Sequence, residues 1–421
     1  LELDERQNMD KQAIFNDVEQ IMTVDYAGLN ERKVDAVPFR NEITEQMNEV
    51  EFVNLIENYL KSFRDGHVRL VRTASDHESL GFTVRRDGQT LYVIDAESED
   101  VPLSVGEGIV NIDGVAIQTI ADQYQSQLDP VINRQDWSWL LRRGKVATLE
   151  DGREVSLQRY EKTSRPEHSF KILSEGVGYM KLTDFLNPAD TNKLLLDNET
   201  TLDQLDFLIV DTRKNDGGND LSYFKLLEYF VTQETNLDGL FEEELGFNIH
   251  WTDRNKKAWL ERLSQFKNQF SDETWNAIYS AEMKKWDSEA SVRASENEED
   301  SEAFILSPKG KLQHVYVLSD WQAGSAGDNF IFYAKAMDKV TVVGRNTLGI
   351  IDYGNVASQP YEGFRVDYPV TRSKLIDQGL ATNGVGIEPE VFIPWTHKSI
   401  IEDADLAWVK RDIEKRKGSD L

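Results

Sequence analysis

Two apolar runs constrain this chain more than anything else in it. Leu205-Asp206-Phe207-Leu208-Ile209-Val210 and Val315-Tyr316-Val317-Leu318 are short and nearly free of polar residues, as strands covered on both faces are. Each passes through a glycine-bearing loop into a run of helical character. The first loop, Asp211 to Asp220, contains Gly217-Gly218 and leads into Leu221 to Phe230. The second, Asp320 to Asp328, contains Gly324-Ser325-Ala326-Gly327 and leads into Phe330 to Met337. Strand, loop, helix is the repeating unit of an α/β fold, whose sites gather beyond the carboxyl ends of the strands. The expected fold class is therefore α/β.

Ser325 stands out within this frame. A serine at a small-residue bend between strand and helix has little side-chain cover and lies beside backbone N–H groups that the helix start leaves unpaired. An exposed hydroxyl next to such donors suits a nucleophile with an oxyanion site. The same position also suits a plain helix N-cap, which serine serves well. Gly217-Gly218 lets the backbone turn and approach a ligand closely, and an ordinary connecting loop uses glycine in the same way.

Composition narrows the partners. A net charge of −28 argues against nucleic acid and anionic lipid, because phosphates would be repelled. No cysteine is present, which excludes disulfides, thiolate catalysis and cysteine-zinc sites. No stretch approaches the length of a membrane span. With 421 residues the chain exceeds one ordinary core, so two or three domains are expected. Leu1-Glu2-Leu3-Asp4 has neither an initiator Met nor a signal-type apolar core. The expectation drawn from this is a mature extracytoplasmic form whose export signal is absent from the chain.

The remaining segments read as follows. Residues 1–72 form an N-terminal helical region, with Ile14, Val18, Ile21 and Met22 at helical spacing and Val53, Ile56, Leu60 and Phe63 repeating it beyond Pro38. Asp65-Gly66 then punctuates a helix end and places His67 on a helix-to-strand junction. His77, His168, His250, His314 and His397 take the default structural or exposed reading. Residues 76–165 are β-rich, with Asp-Gly turns at Asp87-Gly88 and Asp113-Gly114. Ile117 to Leu128 reads as a helix, and Trp137 and Trp139 flank a further β-type region. Gly106-x-Gly108 lacks the third glycine and the following helix of a dinucleotide fingerprint.

Residues 168–240 and 305–400 carry the α/β core. Between them, 241–304 reads as a helical insertion with one stripe of Trp259, Leu263, Phe266 and Phe270 and a second of Trp275, Ile278, Tyr279, Met283 and Trp286. It ends in the acidic linker Glu296 to Glu302, and residues 401–421 close the chain as a helix.

Taken together, the motifs resemble a known superfamily, the C-terminal processing and tricorn-core serine peptidases. The resemblance runs through Asp65-Gly66-His67, the PDZ-like stretch Gly106 to Gly114, and Tyr179-Met180-Lys181-Leu182. It continues in Asp211-x-Arg213-x-Asn215-x-Gly217-Gly218, Ser325-Ala326-Gly327-Asp328 and Gly386-Ile387-Glu388-Pro389-Glu390. Each motif is weak alone; six in the same order are specific. The resemblance implies a crotonase/ClpP-like core, a PDZ-like domain and no cofactor or metal.

One branch of the superfamily uses a serine–lysine dyad, and the lysine position in Leu348-Gly349-Ile350-Ile351 here holds Ile350, which cannot move a proton. The tricorn-like branch takes its base from an Asp-Gly-His-type motif. By that resemblance Ser325 is the nucleophile and His67 the base, with backbone N–H groups of Gly217 or Gly218 and of Ala326 as the oxyanion hole. Gly66 stands where that branch has a serine, and Asn383 falls near its glutamate. Asp352 is the first candidate for an orienting acid and Asn383 the second. Asp352 could equally hold its own loop.

The resulting expectation is a serine endopeptidase acting on extended or unfolded polypeptides, received by strand addition to the PDZ-like segment. The alternative is a catalytically silent peptide- or lipophilic-ligand-binding protein on the same fold. An acyl-CoA enzyme of the crotonase type would fit the core but not the serine–histidine pair. Oligomeric state is open.

Overall fold

The computed structural model describes residues 10–73, 78–97, 100–161, 167–264, 267, 271–287 and 304–419. Leu1 to Asp4, His77, Phe266, Phe270 and the acidic linker at 296–302 lie outside these. The chain forms two compact units: residues 1–76, 243–303 and 352–381 make the first, and 77–242, 304–351 and 382–421 the second.

The second unit is built on a six-stranded sheet. Val177–Lys181, Phe207–Asp211, His314–Ser319, Val340–Gly344 and Val391–Phe392 run parallel in that order, and Ser169–Ser174 pairs antiparallel at one edge. The alternation of the apolar runs divides its two faces. Leu208, Val210, Val315, Val317 and Val342 face a core that includes Phe330, Ile331 and Ala334 of the helix Ala326–Lys335. Phe207, Ile209, Tyr316, Leu318 and Val343 face Val409 and Ile413 of the closing helix Ala404–Ser419. Removing each such side chain from water contributes about 1.5–3 kcal/mol. Register aligns Asp211 with Leu318, and Ser319 with Gly344. The loops that follow these three strands therefore leave the sheet at the same carboxyl end.

The same unit contains a separate β-rich lobe. Phe82–Asp87, Thr90–Ala96, Gly108–Ile112, Val146–Leu149 and Glu154–Ser156 form its antiparallel path, with its own core around Leu91, Val93, Ile109 and Trp137. Here the helix at Ile117 stops at Gln123, short of the expected Leu128. The β-type region expected beyond Trp137 and Trp139 is present as the strands Val146–Leu149 and Glu154–Ser156. Trp139 lies in the short helix Ser138–Leu141, and both indoles are 1% exposed, so they fill the lobe's core rather than a strand face. Leu221 to Phe230 is likewise only broken helix, Asp220–Ser222 and then Phe224–Leu227.

In the first unit the helix Glu49–Lys61 begins at Asn48, which forms a capping box with Glu51. It buries Phe52, Leu55, Ile56, Tyr59 and Leu60. The helix ends before Asp65-Gly66, and Arg64 rather than the glycine takes the left-handed position, φ 50°. The chain then enters the strand Arg69–Arg72, which pairs antiparallel with Phe364–Ser373. That strand also forms a hairpin with Tyr353–Tyr361 and pairs with Phe247–Ile249, so the region expected to be a helical insertion also supplies a strand. The helices Asp253–Ser264 and Asp272–Asp287 follow as expected. No helix among the described residues is long and apolar enough to cross a membrane.

Candidate active site

In the second unit, the loop after Ser319 brings Ser325 to the start of a helix in a conformation that an ordinary cap does not use. Its backbone sits at φ 58°, ψ −118°, whereas an N-cap normally takes extended angles. A non-glycine residue held there stores about 1–3 kcal/mol of strain, and such strain clusters at functional sites. The surroundings that hold it are explicit. Asp328, fully buried one helical turn on, accepts the Ser325 N–H at 2.8 Å through Oδ2. Its carboxylate also accepts the N–H groups of Gly349 (2.8 Å) and Ile350 (3.0 Å). Burial pushes the Asp328 carboxyl up, against the hydrogen bonds from Ile350, Thr347, Gly349 and Ser325. One carboxylate thus rivets the serine bend to the 347–350 loop.

Gly217 packs directly on this bend: a Cβ added to it would lie 2.5 Å from the Gly324 carbonyl oxygen and 2.8 Å from Ser325 Cβ. Gly218, φ 140°, has no room for a side chain against the Phe185 backbone, 2.4 Å away. The two glycines differ in their donors. Gly217 gives its N–H to Asn215 Oδ1 at 3.0 Å. Gly218 is exposed, and among the described residues neither its N–H nor that of Ala326 is engaged. Ile350, at the position where the dyad branch has lysine, reaches Gly324: its Cδ1 would lie 3.3 Å from a Cβ there. Asn383 is 9% exposed in the turn whose Gly386 presses on Thr347. That turn packs against the loop that Asp328 holds.

A chain of buried charges ties the three loops together behind the bend. Asp320 receives both terminal nitrogens of Arg85, at 2.7 and 3.0 Å, and Arg345 Nη2 at 2.7 Å. Arg345 Nη1 continues to Asp405 at 2.7 Å, and Asp405 accepts from Arg213 at 3.0 Å. Burial pushes the Asp320 carboxyl up, but the guanidinium groups of Arg345 and Arg85 outweigh it and hold the group below the usual carboxylate range. Asp320, Arg345 and Arg213 each stand at the root of one loop. Arg85 belongs to the β-rich lobe, as does Arg134, which donates to the Thr347 carbonyl at 2.8 Å and to that of Leu348 at 3.1 Å.

In the first unit, His67 Nδ1 lies 2.8 Å from the Tyr353 carbonyl oxygen. A carbonyl only accepts, so Nδ1 carries the hydrogen and the neutral ring presents its lone pair at Nε2. The backbone N–H of His67 donates to Asp65 Oδ1 at 2.9 Å, and Tyr26 Oη donates to Asp65 Oδ2 at 2.7 Å. Asp352, 3% exposed, precedes the residue whose carbonyl holds the ring, and its own carbonyl accepts the Ser373 N–H at 2.8 Å.

Ser325, Ala326, Gly217 and Gly218 are thus brought together in one unit, with Asn383 on a neighbouring turn. His67 and Asp352 belong to the other unit. Sequence reasoning gave no role of their own to Asp328, Asp65, Tyr26 and the Arg85–Asp320–Arg345–Asp405–Arg213 chain. Serine followed three residues later by an acid is a capping-box spacing and signalled Asp328; Arg85 lies next to the core residue Val84 on the strand Phe82–Asp87, and alternation gives no sign of its burial. Nothing in a sequence marks the Tyr353 carbonyl. Among the described residues no group of three or more His, Asp or Glu side chains could hold a metal ion.

The sequence profile of peptidase family S41 matches residues 176–393, just over half of the chain and the part that holds the parallel sheet and the serine bend. The class is serine-type peptidase, a hydrolase. The chain belongs to peptidase family S41. Among solved structures, mature CPAF complexed with lactacystin aligns with TM-score 0.60 at 14% identity, over 95% of this chain and 97% of that one. Mature CPAF alone aligns with TM-score 0.59 at 14% identity, over 95% of each chain. At this identity the likeness is one of fold. No curated protein matches the sequence.

Proposed function

We propose that the chain is a serine endopeptidase of the tricorn-like, serine–histidine branch, with Ser325 as nucleophile and His67 as general base. The observation that carries this reading is the strained, backbone-riveted conformation of Ser325 beside two unengaged N–H groups. In the proposed reaction Ser325 Oγ adds to the scissile carbonyl carbon and its proton passes to His67 Nε2. The carbonyl oxygen, now negative, is received by the N–H groups of Gly218 and Ala326, each such donor contributing about 3 kcal/mol. Gly217 drops out of the oxyanion hole because Asn215 already takes its N–H. The C–N bond then breaks, the proton moves from His67 to the departing amine, and water hydrolyses the acyl-serine by the same route in reverse.

The core is read as crotonase-like and the β-rich lobe as PDZ-like, receiving an extended polypeptide by strand addition. Leu186 and Leu221, 70% and 57% exposed, flank the Gly217-Gly218 loop and suit an apolar substrate side chain next to the cleaved bond. An extracytoplasmic setting is part of this reading and is tested by locating the protein in fractionated cells.

The decisive experiment uses a fluorophosphonate probe on the folded chain. Labelling should fall on Ser325, vanish in Ser325→Ala, and drop by about 10³-fold or more in rate in His67→Ala, the scale of losing one member of a catalytic unit. Labelling unaffected by His67→Ala removes the histidine from the reaction; no labelling of the folded wild type removes Ser325.

A further inference from the structure

Resting on the reading of His67 as base, a second question is what stabilises its positive charge. The Tyr353 carbonyl fixes the ring and its tautomer but brings no formal charge, and a carboxylate nearby favours an imidazolium. Asp65 is 5% exposed and fixed two residues from the ring, its Oδ1 on the His67 N–H and its Oδ2 on the Tyr26 hydroxyl. Tyr26 is itself buried, with its ring 5.6 Å from that of Tyr353 and 5.9 Å from that of Phe63. One tyrosine therefore braces both the carboxylate and the residue whose carbonyl orients the imidazole.

We propose that Asp65 is the charge partner of His67 and that Tyr26 holds it in that role, so that Asp65, Tyr26 and the Tyr353 carbonyl together replace a single orienting acid. All three are positioning groups: none touches the substrate. Burial raises the proton affinity of Asp65, and the charge of His67 with the two hydrogen bonds opposes it. The coupling is mutual, since a carboxylate favoured by a nearby cation favours that cation equally. The other charged groups around the cluster are Arg32, which acts on Asp65 and Tyr26, Glu31, which accepts from Tyr353 Oη at 3.3 Å, and Asp352. The competing role for Asp65 is a local turn, in which its side chain does no more than cap the His67 N–H.

The test follows the imidazole itself. In ¹⁵N-histidine-labelled Ser325→Ala protein, the nitrogen shifts of His67 should report the Nδ1–H tautomer. Adding Asp65→Asn should move the His67 titration to lower pH while leaving that tautomer in place. In the active enzyme the acid limb of kcat/KM should move the same way, with kcat down about tenfold to a hundredfold and KM within about twofold. Tyr26→Phe, which removes only a hydroxyl, should shift both in the same direction by less.

An unchanged titration in folded Asp65→Asn overturns the proposal and leaves Asp65 as a turn. If Asp65→Asn does not fold, an unchanged titration in Tyr26→Phe does the same. Because the titration is read without turnover, it stands apart from fluorophosphonate labelling: loss of labelling in the wild type would refute Ser325 as nucleophile, not the pairing of Asp65 with His67.

Discussion

The elements around Ser325 and around His67 solve one positioning problem in two ways. The serine is held through its backbone: a buried carboxylate takes its N–H together with two from a second loop, and a chain of five alternating charges anchors the roots of three loops. The histidine is held through side chains and one carbonyl, with two tyrosines packed around a single carboxylate. The first arrangement shares its hydrogen bonds with the stability of the loops at the sheet's carboxyl end. The second can be altered with far less harm to the fold. Substitutions that are chemically alike should therefore be structural in one place and kinetic in the other.

The largest expected effect is at Asp320. Its carboxylate lies between Arg85 and Arg345, 3% and 8% exposed, and Asp320→Asn leaves two buried guanidinium groups short of an anion. Breaking a buried pair in this way costs about 3–5 kcal/mol, to be read from urea unfolding at neutral pH. The sign of the pH dependence follows from the lowered carboxyl. A group held below its unfolded value stabilises fully above about pH 4 and loses that contribution as pH falls through the folded value. Wild type should thus lose stability on acidification more steeply than Asp320→Asn. Parallel acid profiles would show that the charge chain does not anchor the loops.

Asp328 against Asp65 is the direct comparison. Asp328→Asn keeps one acceptor oxygen for three backbone N–H groups and should cost about 2–3 kcal/mol, the scale of burying donors without a partner. Asp65→Asn removes an acceptor for only one N–H and one hydroxyl, and its main effect should be kinetic. Equal losses in unfolding free energy for the two variants would break the comparison.

The parallel core was legible because its strands are apolar without interruption, and Ser325 because it stands where a buried strand turns into a helix. The short helices were not. Leu221 to Phe230 has helical spacing, yet its apolar residues are taken up by the core on more than one side, and tertiary burial overrode the period. His67 was readable as a junction residue; its partner was not, since a main-chain carbonyl 286 positions away leaves no trace in residue identity. Asp352, the first orienting candidate, directly precedes Tyr353, whose carbonyl oxygen lies 2.8 Å from His67 Nδ1.

The smallest effect is expected at the surface. Leu186 adjoins the Gly218 loop, where its backbone N lies 2.5 Å from a Cβ added to that glycine, and Leu221 follows the same loop with its N–H on Asn219 Oδ1 at 3.0 Å. Neither belongs to the buried core, so Leu186→Ser or Leu221→Ser should leave unfolding within about 0.5 kcal/mol of wild type. If these side chains meet the substrate, each change should lower kcat/KM for peptides with an apolar residue beside the cleaved bond by about tenfold, as loss of a few methylene contacts does, and much less for peptides with a polar one there. A uniform loss across both peptide sets would mean that the leucines shape the loop and not the substrate. The serine-bearing region would then read its substrate through the backbone alone, as it holds Ser325.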